Sequence, residues 1–371
     1  MFNRIKLMKG KVKFVEKSRT EFFSTLRSRV NNYFEENKIA KTGDYRMVVK
    51  SIYMFLIYLV PFTLILTGIL PLWATFIMWF IMGLGSAGIG MGIMHDANHG
   101  AYSKYPFINK MMGRTIYMVG GSKFTWLVQH NILHHTYTNI YGMDEDIHDK
   151  PILRLSPHGK LSFIHKYQHF YAFFIYSLAT LSWAVNKDFS QLIRYNRTGL
   201  TKGSGGNPTV EMIKLILSKI LYFSIILLLP ALITGYGFGS LFLGFLMMQI
   251  TAGLFVTTIF QLAHVVEETD HPLPTAAGEI ENSWAIHQLE TTANFAKKNK
   301  VLSWFIGGLN YQVEHHLFHN ICHIHYKKIA PIVKSTAQEF GIAYYEKVTF
   351  WQALASHMRV LKKIGNEHAI G

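Results

Sequence analysis

The chain has 371 residues, of which 50% are hydrophobic and only 16% charged, and its formal net charge is +15 at pH 7. A soluble domain carries about 25% charged residues, so charge is gathered in some stretches and missing from others; that favours a lipid-embedded chain, and an excess of Lys and Arg is what cytoplasmic loops carry, without nucleic acid as a partner. The single cysteine, Cys322, excludes an intrachain disulfide and a thiolate metal cluster.

Residues 1–50 mix charges with scattered apolar side chains and lack the features of a signal peptide. They are expected to form a basic, amphipathic cytoplasmic segment. Ser51 to Met94 contains no Asp, Glu, Lys, Arg or His, enough for two spans of about 20 residues each, placed at about 51–70 and 73–94 with the turn at Leu70-Pro71-Leu72-Trp73. His95 to Tyr326 then brings the histidine-rich segments. The weaker apolar stretch 169–185 is read as an interfacial helix, because a fifth span would put Lys187, Arg194 and Lys214 outside and would separate the histidine clusters. After a Gly-rich loop at 203–208, Ile220 to Ala263 is a second charge-free run, broken at Thr234-Gly235-Tyr236-Gly237, giving spans at about 214–233 and 239–263. Arg46, Lys50, Lys104, Lys214 and Lys219 flank both hairpins, and neither tip carries a charge. The positive-inside rule therefore puts both termini and the central loop in the cytoplasm. The expected fold is an all-α, multi-pass integral membrane protein: four transmembrane helices in two hairpins under a cytoplasmic helical cap, with a core domain at 51–340 and a cytoplasmic tail at 341–371.

The chemistry lies in three clusters. His95 and His99 are four apart, on one face of a helix. His130 and His134 repeat that spacing, and His135 points about 100° away. Gln312, His315 and His316 are again spaced by three and four. A lone histidine is more often an ordinary polar residue, the reading kept for His148, His158, His165 and His169, but three clusters beside span ends make a metal site. Imidazole suits zinc, copper, iron or nickel. Seven histidines exceed one tetrahedral ion, so two ions are expected. His264 ends the second charge-free run as His95 ends the first, and is counted as a further ligand. Asp96, Asn98, Asp144, Glu145 and Asp146 are candidate acceptors for the ring N–H groups that face away from metal.

At these residues the chain resembles the membrane fatty acid desaturase family. The likeness runs from about Lys50 to Tyr326 and rests on the order and spacing of the clusters, on Gln129-His130-Asn131 and His134-His135-Thr136-Tyr137-Thr138-Asn139 followed by Asp144 and Asp146, and on Gln312-Val313-Glu314-His315-His316-Leu317-Phe318. Gln312 at the head of the third box, with Gln288-Leu289-Glu290-Thr291-Thr292-Ala293-Asn294 upstream, is similar to the front-end class, which inserts a double bond between an existing one and the carboxyl end. The resemblance implies a diiron centre held by the three boxes and by the histidine at the end of the fourth span, with dioxygen as co-substrate, an acyl substrate and Asn294 among the residues that orient ligands. His319 stands where the family commonly has proline, and the roles of His323 and His325 are open. No His-Pro-Gly-Gly haem motif is present, so electrons are expected from a separate ferredoxin or cytochrome b5-like protein with its reductase. Gly83, Gly85, Gly88, Gly90 and Gly92 in the second span read as close helix packing, as room for an acyl chain, or as both.

Three rivals remain open. A diiron hydroxylase acting on alkanes, sterols, carotenoids or sphingoid bases would use the same scaffold and differ in adding oxygen. A membrane haem carrier would need its histidines between the spans, and most lie outside them. A metal transporter would need polar residues along the spans.

Overall fold

The computed structural model describes residues 12–15, 21–148 and 151–367. The remainder of the N-terminal segment and of the tail, 1–11, 16–20 and 368–371, lies outside the described residues, as do 149 and 150. The chain divides into two compact units, one made of Met1–Lys41, Gln129–Ala172 and Ile259–Gly371, the other of Thr42–Val128 and Phe173–Thr258.

The second of these units carries the membrane helices. Four helices are long and apolar enough to cross a bilayer: Tyr45–Leu66, Leu72–Asn98, Pro208–Ile233 and Phe238–His264. The first begins at Asp44, whose carboxylate accepts the Arg46 N–H at 2.9 Å, and so takes in Arg46 and Lys50 ahead of the charge-free run. At the tips, Tyr236 donates to the Leu70 carbonyl at 2.7 Å, tying the two hairpins together. Glycines let the second span approach its neighbours: a Cβ at Gly83 would lie 2.7 Å from the Met248 carbonyl oxygen, and one at Gly85 2.9 Å from the Tyr58 nitrogen. Gly90 has nothing within 4 Å of that position, so packing explains part of the glycine run and leaves open space at one place.

Two departures from regular α-helix matter. The last turns before His95, Ile89–Met94, are π-helical, and so is Leu127–His134, which carries His130 and His134. The sequence spacing predicts α-helix at both. A π turn inserts one residue and is found mostly as single turns at functional sites; it keeps residues four apart on one side while shifting the phase of everything after it.

The helical stretch into the second box is held at its start by Asp188. This buried carboxylate accepts from the Ser122 N–H at 2.9 Å, the Thr125 hydroxyl and Trp183 Nε1 at 2.9 Å, and pairs with Lys219 at 2.6 Å. Lys219 also donates to the Gly120 and Trp183 carbonyls. Every formal charge in this buried node is paired, as burial requires.

The first unit has its core where the stripe Phe22, Leu26, Val30 and Phe34 of the helix Phe22–Glu36 meets Ile329, Ala330, Val333 and Ala337 of Tyr326–Glu339. Arg29 clasps Glu339 at the rim. Two short parallel strand pairs, Lys13–Phe14 with Glu279–Ile280 and Ala293–Phe295 with Tyr345–Lys347, fasten the loops. Residues 341–367 are woven into this unit and do not hang from it as a separate tail. Tyr345–Lys347 is a strand, and Phe350–Ile364 is a helix started by a capping box of Thr349 and Gln352. That helix ends against Arg154, which donates to the carbonyls of Ile364 and Glu367.

Candidate metal centre

The histidines of the first unit converge. His134 ends the π turn, His135 follows it, His264 ends the fourth span, and His315 and His316 sit on the helix Gln312–Leu317. The ligand nitrogens of His134, His264 and His316 all lie within 4.8 Å of one another, and all three residues are buried. A second grouping surrounds His130: its Nε2 is 3.2 Å from His135 Nε2, its ring stacks on His315 at 5.9 Å, and His135 and His315 are 4.6 Å apart. Two nitrogens bound to one ion at about 2.1 Å each stand roughly 3.0–3.4 Å apart, which the His130–His135 separation matches.

Four of the converging rings are fixed from behind. His134 Nδ1 is 3.0 Å from Asp144 Oδ2, His264 Nδ1 3.2 Å from the Thr291 carbonyl, His316 Nδ1 2.8 Å from Gln288 Oε1, and His315 Nδ1 3.1 Å from the Tyr326 hydroxyl. An N–H held at Nδ1 leaves the Nε2 lone pair facing inward, the tautomer a metal needs. The Nε2 atoms of His134 and His264 are buried with no hydrogen-bond partner among the described residues, a state that costs about 1–3 kcal/mol each unless something binds there. Donor type, tautomer and orphaned nitrogens all fit a bound transition-metal ion.

The electrostatics run the same way. Burial disfavours a charged His134, but the charge of Asp144, its hydrogen bond and the nearby Asp146 outweigh burial and hold the imidazole above its ordinary value. Asp144, which burial would raise, is instead held below the usual carboxylate range by His134 and by the N–H groups of Asp146 and Asn139. Asp146 lies 3.6 Å from His134 Nδ1 and accepts from Gln129.

His95 and His99 form their own pair in the other unit, with rings 4.8 Å apart and the Trp126 indole 5.8 Å from each. Asp96 Oδ1 is 3.9 Å from His95 Nδ1, too long for a hydrogen bond. Asn98 donates to the Gly113 carbonyl at 3.2 Å, anchoring the box to the next segment. Asn294 Oδ1 accepts the Val313 N–H at 3.0 Å and its Nδ2 donates to Glu314 at 2.8 Å, so it caps the third-box helix from outside. Glu145 belongs to the acidic turn beside Asp144. Gln312 is buried on the first turn of the third-box helix. His319 lies 5.1 Å from His135, ring to ring, whereas His325 packs edge-on against Phe34. Among the histidines read as ordinary polar residues, His165 Nδ1 accepts the Ser162 N–H and His158 bonds the His271 carbonyl.

Sequence reasoning missed Gln288, Thr291 and Tyr326 as anchors of ligand rings. It also missed His287, buried and bonded through Nε2 to the Thr138 carbonyl at 2.8 Å, whose burial lowers it to about 4.

The profile of the family described as fatty acid desaturase matches residues 71–348. The sn-1 linoleoyl-lipid 6-desaturase of Synechocystis sp. (strain ATCC 27184 / PCC 6803 / Kazusa) is 37% identical over 358 residues, 96% of this chain and 98% of that protein. Its namesake in Arthrospira platensis is 36% identical over 346 residues, 92% of each chain. The acyl-lipid (8-3)-desaturase of Physcomitrium patens is 32% identical over 366 residues, 97% of this chain and 75% of that one.

Proposed function

The chain belongs to the fatty acid desaturase family, and on that premise we propose that it sets a cis double bond into an acyl chain esterified in a membrane lipid, between an existing double bond and the carboxyl end. The names of its relatives support the lipid-bound substrate and the front-end position, as does Gln312 at the head of the third box. Two iron ions are the proposed cofactor. The observation that carries this half of the reading is the set of buried imidazoles fixed through Nδ1, with the ligand nitrogens of His134, His264 and His316 within 4.8 Å of one another. His130 and His315 are assigned to the same centre on their packing, and His95, His99, His135 and Gln312 on box spacing and family resemblance.

Iron held by these residues supplies, with dioxygen, the oxidising power that no side chain has against an unactivated methylene; zinc, without redox chemistry, does not. The chain's own part is orientation and exclusion. Asp144, Thr291, Gln288 and Tyr326 hold the rings in one tautomer, and burial of His134, His264, His315 and His316 keeps bulk water from the ligand nitrogens. Overall, dioxygen becomes two waters by taking two hydrogens from adjacent acyl carbons together with two electrons and two protons. The electrons come from a separate ferredoxin or cytochrome b5-like donor with its reductase. The Lys and Arg flanking the spans support a cytoplasmic position for the termini and the centre. Phe163, Tyr167, Phe170 and Phe174, exposed at spacings of four, three and four with Lys160 and Lys166 beside them, support a membrane-surface position for the helical segment that leads into 169–185.

Expression in a host fed linoleate, followed by mass spectrometry and location of double bonds in its lipids, tests the reaction. The expected product is two hydrogens lighter, with the new bond on the carboxyl side of the existing ones. A product heavier by one oxygen would make the protein a hydroxylase on this scaffold.

A further inference from the structure

Asn139 follows the second histidine box by four residues, and its side chain is not among the groups that face the ligand rings directly. Its backbone is left-handed, φ +58°, a conformation that Asn, Asp and Gly tolerate and most residues do not. Its side chain is fully buried. The carboxamide nitrogen donates to the carbonyl of His264 at 2.8 Å and to that of Asp270 at 3.1 Å, with the Thr291 carbonyl at 3.4 Å. The backbone N–H donates to Asp144 Oδ2 at 3.0 Å. Two of these acceptors are the atoms that fix ligand rings: Asp144 Oδ2 faces His134 Nδ1, and the Thr291 carbonyl faces His264 Nδ1. The carboxamide oxygen is buried with no partner among the described residues, so the side chain sits there for its two N–H groups and tolerates an unmet acceptor to keep them in place.

We propose that Asn139 is the positioning residue that sets His134 against His264, joining the second box to the end of the fourth span; this rests on the metal-centre reading above. The residue type follows from the two demands together. Asp tolerates the left-handed backbone but turns an oxygen towards the carbonyls. Gly tolerates it and offers no donor. Ala meets neither demand. Neighbours of ligands placed this way change metal affinity about 10–100-fold when lost, with little reason to unfold the surrounding helices.

The test compares full-length wild type with Asn139→Gly and Asn139→Asp, each purified in detergent and stripped of metal. Three properties are measured: the thermal midpoint without metal, iron(II) affinity by chelator competition, and the visible absorption of the cobalt(II)-loaded protein, which reports coordination geometry. The expected result is that at least one variant keeps the wild-type midpoint within a few degrees, binds iron about 10–100-fold more weakly and gives an altered cobalt spectrum. Wild-type iron affinity and cobalt spectrum in every variant that keeps its midpoint overturn the proposal. So does loss of the metal-free midpoint in both variants, which would assign Asn139 to folding alone. Wild type that binds neither iron nor cobalt would sink the metal-centre reading itself, a result separable from the other two.

Discussion

Four imidazoles share one device: the nitrogen facing away from the cluster is engaged by a group from outside the ring's own helical turn, 10 to 28 residues away in the chain. For His316 that group is Gln288, 28 residues upstream, and for His264 it is a backbone carbonyl 27 residues downstream. Replacing Gln288 by Leu removes the acceptor at Nδ1 while keeping the bulk, and is expected to weaken iron binding about 10–100-fold; Glu in the same place keeps an acceptor and retains most of the affinity. Iron per chain and chelator competition distinguish the two variants, and equal binding by Leu and Glu would remove Gln288 from the account of His316. The histidines themselves were legible because a four-residue spacing is local, and His264 because a charge-free run ends on it. Of their anchors, Asp144 was among the acidic candidates beside the second box, whereas Gln288, Thr291 and Tyr326 were not legible, since no periodicity encodes which carbonyl, carboxamide or hydroxyl a ring will meet after folding. Asn98 and Asn294, both expected behind imidazoles, also fasten the boxes to their surroundings: one donates to the Gly113 carbonyl and the other caps the third-box helix.

At the scale of elements, the spans were readable from missing charge, but their local winding was not. The π-helical stretches Ile89–Met94 and Leu127–His134 are wound more loosely than α-helix, and a composition pattern with four-residue spacing does not distinguish the two. The glycine run divides in a way only packing reveals. Gly85→Ala would drive a methyl to within 2.9 Å of the Tyr58 backbone nitrogen, and is expected to cost about 1–3 kcal/mol by overpacking, visible as a lower thermal midpoint in detergent. Gly90→Ala meets nothing within 4 Å and should leave the midpoint near or above wild type, since Ala favours helix over Gly; an equal loss in both would mean that close contact at Gly85 does not govern the run. The exposed aromatics are open to the same kind of test. Phe170→Trp, in vesicles, is expected to be quenched by lipids brominated high on the acyl chain, and an unquenched tryptophan would put that helix in water.

For the whole molecule, the division into two units cuts across the order of the chain, since the first unit takes residues from the beginning, the middle and the end. That is why 341–367 looked like a tail in the sequence: it pairs as a strand with Ala293–Phe295 and is bonded and ion-paired to the segment after His264, both far away in the chain. His357 shows the consequence. It is buried, bonds the Val265 carbonyl at 2.7 Å, and burial lowers it from 6.5 to about 4. Between those values the unfolded chain takes a proton that the folded chain refuses, so stability falls as pH drops from 6.5 towards 4, by at most about 1.4 kcal/mol per pH unit for this group, and is unaffected by it above 6.5. His357→Asn keeps a donor to the carbonyl and cannot titrate, so the thermal midpoint should fall less steeply over that range than in wild type; an unchanged slope would mean other groups govern acid sensitivity.

Everything at this scale depends on what the converging imidazoles hold. Metal analysis of the full-length protein, purified without chelator from iron-replete cells, addresses that point most directly. A diiron centre predicts two iron ions per chain, falling towards zero in His134→Ala and His316→Ala. Stoichiometric zinc in place of iron, or iron unchanged in both variants, would contradict it.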